Sequence, residues 1–511
     1  MMHAGIAGPV GSGEGIENML SKDGSGIDER GAMMRDAADN GVKRLAAPAR
    51  RGRHGSGLFR RFAAAGGAFG AALSAMLMLG SAAYGAPAVS AVQLPRPSAS
   101  QLAWENAAVG LFLHYDLQVA HPHWTVADAR TRDPFLCRRP PNTDQWLRVA
   151  KAMGAKYAVY VCKHDSGYMF FQCHAYPFGL TYSKWGGGKV DMVRRFVDSC
   201  HKFGIKPGLY CSLATNRFWH VTGNYVRSGK GRPAALQAAY ARICEQMETR
   251  LWSHYGPLFY CWFDGGELSV KQGGPDLTPL LQKFQPKMVG FQGPVGMPGG
   301  LTRWIGNEAG YAPNPCWETV SQPSQPGGGD ANGKLWQPAE VDISVLAGDQ
   351  WFWRPGRSNP MLTLRQLVNI YYDSVGHGCN LIVNAPIDPH GRIAKTVRER
   401  LAEFGREIRR RFSKPLGQTS GTGQTVVLAF GHAVAINNIM IMEAIAHGQR
   451  VRQYQVQGRT ADRWVTICRG QSIGHEWLWR FKPIKVTAVR LVVLKSIGKP
   501  MIRRLAAYDV K

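Results

Sequence analysis

From Ala108 to about Pro415 the sequence repeats one unit: a short apolar, β-branched or aromatic run, then a segment with helical spacing. That alternation commits the chain to parallel strands joined by crossover helices, because parallel neighbours cannot be linked by a tight turn. Strands are expected at 109–115, 156–162, 207–213, 258–263, 287–292, 303–307 and 380–385. Helices are expected where Trp146, Val149, Ala150 and Met153 repeat before Gly154, and where Val193, Phe196, Val197 and Cys200 repeat before Gly204. Further helices carry Leu236, Tyr240, Ile243 and Met247, then Leu364, Leu367, Val368 and Tyr371, and a basic helix over 396–412 closes the series. A doubly wound open sheet has much the same periodicity, but no glycine-rich turn follows the first strand. His114, His164, Asp264 and Glu308 each end an apolar run, and a (β/α)8-type barrel gathers such strand ends at its C-terminal face, where active sites are built. The α/β barrel is therefore the expected fold.

After Ser413 the texture changes to short strands punctuated by turns, at 425–430, 435–443, 450–457, 463–468, 476–481, 487–494 and 502–509, which predicts a C-terminal β-sandwich. The expected layout is a disordered extension or over-called start at 1–50, a signal peptide at 51–86, the (β/α)8-like domain at 87–415 and the sandwich at 416–511. The signal segment rests on Arg51, Arg53, Arg60 and Arg61, the uncharged run Ala63–Gly80 and the small residues Ala82–Ala86, an order that predicts an exported protein and that a membrane anchor shares in part.

The formal net charge is +27, and residues 401–511 hold 19 Lys and Arg against six Asp and Glu. Such a balance favours anionic partners, so anionic polysaccharide is expected at the basic C-terminal domain. No nucleic-acid module accompanies the charge, and nucleic acid is not an expected partner. Ten cysteines in 511 residues do not make a disulfide scaffold, and Cys162, Cys211 and Cys261 fall inside strand-like runs. With no CxxC or HExxH motif, neither a metal nor a cofactor is expected. Oligomeric state is not legible.

Hydrolysis of a glycoside needs two carboxyl groups, one against the anomeric carbon and one to protonate the leaving oxygen. Asp264, after Leu258–Phe263, and Glu308, after Arg303–Asn307, are the best pair, each leaving an apolar strand at the barrel mouth. Gly265 and Gly266 would let a substrate approach the first closely.

Ala103-Trp104 with Val109–His114, Lys163-His164, Lys206–Ser212, Trp262–Gly265 and Gly306–Glu308 occur in the order and spacing of the motifs of family 29 glycoside hydrolases, and the chain resembles that family of α-L-fucosidases. Trp336 with Glu340 and Asp342, the cluster Trp351–Trp353, and Asn380–Pro386 with Asp388 and Gly391 fit the same resemblance, as do Glu443, Ile445, Gly448–Val451, Gly470 and Ser472–Gly474 in the sandwich. The resemblance implies a retaining exo-glycosidase that releases α-linked L-fucose from fucosylated glycans, with Asp264 as nucleophile and Glu308 as general acid/base. The Gly306-Asn307-Glu308 form resembles the branch that prefers α-1,3 and α-1,4 linkages. For sugar binding the resemblance points to His114, Trp124, His164, Asp165 and Tyr210, with Trp351 or Trp353 as an aromatic wall for the fucose methyl group.

The sequence also departs from the pattern. Lys163-His164-Asp165-Ser166-Gly167-Tyr168 puts an aspartate where the family commonly has a second histidine, Tyr115-Asp116 follows His114 where a glycine is usual, and His123 stands where an acid often precedes the tryptophan. These changes leave the carboxyl pair intact and bear on the sugar or its linkage. Two other readings stand beside the first: a hydrolase of this fold for a different sugar, and a catalytically silent glycan-binding protein.

Overall fold

The structure, a computed structural model, describes residues 93–120, 140–228, 231–461 and 463–511. The extension at 1–50, the signal segment at 51–86 and Trp124 lie outside the described residues. Among the described residues no helix is long and apolar enough to cross a membrane.

Eight parallel strands close into a barrel: β1 (Val109–Leu113), β2 (Tyr157–Lys163), β3 (Lys206–Cys211), β4 (Tyr260–Trp262), β5 (Val289–Phe291), β6 (Leu301–Trp304), β7 (Ala339–Ser344) and β8 (Asn380–Asn384), with β8 paired to β1. Before β1, helix α1 (Ala99–Glu105) starts with a capping box in which Ser98 and Gln101 satisfy one another's backbone amides. It sets Trp104, fully buried, against Tyr260 at a ring distance of 5.4 Å. The interior is a plug of aromatic and branched side chains, among them Phe112, Tyr157, Val159, Val161, Tyr210, Trp262 and Phe291. Alternate residues of each strand supply it, as the period of two requires.

The crossover helices are α2 (Thr143–Met153), α3 (Met192–Phe203), α4 (Ala234–His254), α5 (Thr278–Phe284), α6 (Leu364–Asp373) and α7 (Lys395–Phe412). Helices α2 and α3 end where the sequence says, with Gly154 and Gly204 in the left-handed conformation. The connections β5–β6 and β6–β7 carry no helix among the described residues. Both are rich in Gly and Pro, at 293–300 and 312–329, which removes helical hydrogen bonds and raises the cost of helical order.

Strand β7 was not among the strands expected from sequence. Glu340, Asp342 and Ser344 alternate with Ala339, Val341 and Ile343, a pattern that reads as a half-solvated strand, yet all six residues are buried. The carboxylate of Glu340 sits within the barrel and accepts hydrogen bonds from Tyr157 (2.8 Å), Tyr260 (3.0 Å) and Trp262 (2.8 Å). Burial, partly offset by those bonds, pushes its pKa up to about 8.

Helix α7 closes the barrel by burying Val397, Leu401, Phe404 and Phe412. It lies so close to α2 that a Cβ at Gly405 would fall on the carbonyl oxygens of Ala152 and Met153. Gly405→Val is expected to cost about 1–3 kcal/mol by forcing the two helices apart. A thermal melt checks this, and an unchanged midpoint would contradict the close approach.

The C-terminal sheet runs β9 (Gly417–Thr422), β14 (Met501–Tyr508), β10 (Thr425–Glu443), β13 (Trp477–Ser496), β11 (Val451–Arg459) and β12 (Trp464–Gly470), all antiparallel. Four of the expected short strands merge in pairs into β10 and β13, which are 19 and 20 residues long and change register between Ala429 and Val434. Such irregularities bend a sheet. A Cβ at Gly417 or Gly421 would meet Phe430 or Val426, so β9 lies close against the first half of β10. The core of this sheet holds Ile436, Ile439, Tyr454, Trp477, Leu491 and Leu505. Barrel and sheet belong to one compact unit, Ala91–Lys511.

Candidate active site

The parity of the strands decides what the barrel mouth contains. Phe112 on β1 faces inward, so His114 does too. The same count carries Tyr210 to Ser212, Trp262 to Asp264, and Ile382 to Asn384. On β2 the count would bring Lys163 inward after Val159 and Val161, but the pairing with β3 slips between Val161 and Lys163. One extra residue reverses the faces. Lys163 turns into the wall, donating to the carbonyl oxygens of Ser212 and Thr215 (2.7 Å for the latter), and His164 takes its place at the mouth.

The result is a cavity of about 310 Å³ whose lining includes His114, His164, Tyr210, Asp264, Glu308 and Trp351. Asp264 is exposed to it, and its backbone is left-handed at φ 48°. Aspartate tolerates this conformation better than most residues, and such positions gather at functional sites. Tyr210 donates to Asp264 Oδ2 (2.5 Å), and the following amide of Gly265 donates to Gln292 Oε1 (2.6 Å), tying β3, β4 and β5 together at the rim. Gln292 is itself left-handed, at φ 53°.

Glu308 is half-buried and accepts from the Trp351 indole (2.7 Å). Burial raises its pKa, and the negative charges of Asp349 and Asp264 add to that, against the opposing effect of the Trp351 bond. Two carboxyl groups with different surroundings share one cavity, one braced by a phenol and one inclined to keep its proton, the requirement for paired acid and base roles.

The two histidines are set in opposite states. Asn384 gives its N–H groups to Ser344 (3.2 Å) and to the Trp351 carbonyl (2.8 Å), so its oxygen faces His114 Nδ1 at 2.9 Å. That nitrogen must then carry the proton, which leaves Nε2 as an acceptor. Burial, then the charge of His164, holds the His114 pKa well down, so the ring is neutral. His164 is the reverse. Burial opposes its cation, but the Asp165 hydrogen bond (3.0 Å), with the charges of Asp165, Asp116 and Asp264, overcomes this and raises its pKa. Its ring stacks on Tyr210 at 5.4 Å and an interplanar angle of 9°. The cavity therefore offers a hydroxyl one acceptor and one charged donor.

Asp165 stands behind His164, not on the cavity wall, and also meets the Arg217 guanidinium at 3.0 Å. Asp116, His164 and Asp165 bring ligand-type atoms within 4.8 Å of one another. These atoms are engaged by Arg217 and, at Asp116 Oδ1, by the Leu117 amide and the Ser166 hydroxyl (2.7 Å each). The cluster is a hydrogen-bonded brace rather than an open cation cage. Asp165→Asn is expected to remove charge support from His164, so the ring loses its proton at lower pH and the alkaline limb of kcat/KM moves to lower pH. An unshifted profile in that variant would separate Asp165 from the state of His164.

Of the residues singled out in the sequence, the structure thus brings Asp264, Glu308, His114, His164, Tyr210 and Trp351 to one cavity. Trp353 and Asp165 are not among its lining residues. Sequence reasoning gave no site role to Phe112, Trp262, Phe291, Gln292, Trp304 or Asp342, which also line it. For Phe112, Trp262 and Asp342 the signal was available, because each lies on a strand two residues from another inward-facing position. Gln292 follows a short strand with no such marker.

An eight-stranded parallel barrel with two carboxyl groups and an aromatic wall at the C-terminal ends of its strands defines the chain as a glycoside hydrolase. The α-L-fucosidase family model matches residues 129–410. The chain is 27% identical over 467 residues to α-L-fucosidase 1 of Arabidopsis thaliana, covering 81% of this chain and 88% of that one. A solved chain from Bacteroides thetaiotaomicron, named for the same family, is 35% identical with a TM-score of 0.77, over 82% of this chain and all of the other. A family 29 fucosidase of Ruminococcus gnavus, solved with fucose, shares the fold at 18% identity and a TM-score of 0.68, over 82% and 95% of the two chains. The chain belongs to the α-L-fucosidase family.

Proposed function

We propose that the protein is a retaining exo-α-L-fucosidase in which Asp264 is the nucleophile and Glu308 the general acid/base. The observation that carries this reading is the placement of these two carboxyl groups on one small cavity floored by a dry aromatic barrel. At about 310 Å³ the cavity is at the lower end for ligand sites and suits one terminal sugar ring. In the first step Asp264 attacks the anomeric carbon as the glycosidic C–O bond breaks, and the Glu308 proton passes to the leaving oxygen. In the second, Glu308 takes a proton from water, whose oxygen attacks the same carbon and releases Asp264. His114, as acceptor, and His164, as donor, hold the ring hydroxyls, and Trp351 offers its face to the apolar side of the sugar while holding Glu308.

The test is a panel of aryl glycosides followed by NMR of the first-formed anomer. Turnover of the α-L-fucoside with the α-anomer appearing first is expected. Turnover confined to another sugar, or β-L-fucose as first product, would sink the proposal.

A further inference from the structure

We propose that Asp342 binds a ring hydroxyl of the substrate from the cavity wall, as a hydrogen-bond donor, and so helps to set which sugar is accepted. The inference rests on the fucosidase reading above and adds a third carboxyl group to its site.

Strand β7 presents Glu340, Asp342 and Ser344 to the barrel interior in succession. The outer two are committed. Both oxygens of Glu340 accept from Tyr157, Tyr260 and Trp262, while Ser344 donates to the Gln350 carbonyl (2.6 Å) and accepts from Asn384. Asp342, between them, is 4% exposed, accepts from the Trp304 indole at Oδ1 (2.8 Å), and is part of the cavity wall together with Asp264 and Glu308. A carboxyl group held there by one indole and its own backbone amide still has capacity to meet a ligand, which Glu340 has not.

Its protonation follows from its neighbours. Glu340 lies below it on the same strand, Glu308 above it after β6, and Asp264 across the cavity after β4; His114 and His164 face in after β1 and β2. No Lys or Arg is among the cavity-lining residues. Burial, then the charges of Glu340 and Glu308, pushes the Asp342 pKa well above the usual carboxylate range. The group is therefore the neutral acid, which donates. A donor in a dry wall favours a sugar with a hydroxyl there and disfavours one without, because the unmatched group is left unpaired.

The experiment uses aryl α-L-fucosides lacking one ring hydroxyl at a time, with the full chain and the variants Asp342→Ala and Asp342→Asn. With the unaltered protein, one deoxy compound is expected to lose roughly tenfold in kcat/KM. That loss should vanish in Asp342→Ala and persist in Asp342→Asn, whose amide still donates while its oxygen still accepts from Trp304. Deoxy losses identical in the unaltered protein and Asp342→Ala overturn the inference. Should Asp342→Ala not fold, Asp342→Leu decides, because its apolar side chain of similar size fills the space and can neither donate nor accept. The deoxy loss should vanish there too, and a loss as large as in the unaltered protein overturns the inference. Absence of turnover on every α-L-fucoside by the unaltered protein sinks the fucosidase reading itself, and this inference with it.

Discussion

Asp264→Ala is expected to lower kcat on an aryl α-L-fucoside by on the order of a thousandfold or more, since the proposed mechanism gives this carboxylate the bond to the anomeric carbon. Folding is a small part of that effect. Asp264 is exposed, and the change removes the Tyr210 hydrogen bond and places Ala in a left-handed conformation that costs roughly 1–2 kcal/mol. Asp264→Asn keeps a side chain that accepts from Tyr210 and tolerates the same backbone, so a loss that is chemical should be equally deep in both variants. Azide, small enough to enter the vacated space, should restore part of the turnover to Asp264→Ala and yield a fucosyl azide of inverted configuration. Substantial activity remaining in both variants would remove Asp264 from the nucleophile's role.

Glu308→Ala should show an effect that depends on the leaving group. An activated aryl leaving group needs little proton assistance and should lose little in the first step. A sugar leaving group should lose about 10²–10⁴-fold, the usual share of general acid catalysis. The pH profile supplies a second sign. Burial and the charges of Asp349 and Asp264 raise the pKa of Glu308, so the acid form persists toward neutral pH and activity falls as pH rises through that value. Without the carboxyl group, the alkaline limb due to Glu308 should flatten. If aryl and sugar leaving groups lose equally and the limb persists, Glu308 is not the acid. Trp351, which donates to Glu308, works in the opposite direction, and Trp351→Phe should move the limb to higher pH.

Local pattern made much of this protein legible. Where an inward stripe is apolar, as on β2 with Tyr157, Val159 and Val161, the strand announces itself. Helices α2 and α3 announce their ends through Gly154 and Gly204. The carboxyl pair could be picked out because each acid follows a strand-like run, Asp264 after Leu258–Phe263 and Glu308 after Arg303–Asn307. Strand β7 escaped because its inward stripe is Glu340, Asp342 and Ser344, residues that a local reading assigns to water. What makes Glu340 tolerable is a set of phenol and indole donors from β2 and β4, more than 75 residues away in sequence, and Asp342 has the Trp304 indole from β6. The single residue slipped in β2 likewise has no local mark, yet it decides that His164 and not Lys163 reaches the cavity.

Sequence by itself determined the alternation of elements, the barrel class, the separate antiparallel sheet and the two acids at the mouth, because hydrophobic period and strand-end position are properties of neighbours along the chain. Tertiary structure alone decided the charge states. His114 is neutral because burial and the charge of His164 hold its pKa down, while the Asp165 hydrogen bond and charge push His164 the other way. Asp342 is driven toward its acid form by burial, then by Glu340 and Glu308 folded against it. Those states depend on distance and burial, and a low-dielectric interior assembled from five strands sets both.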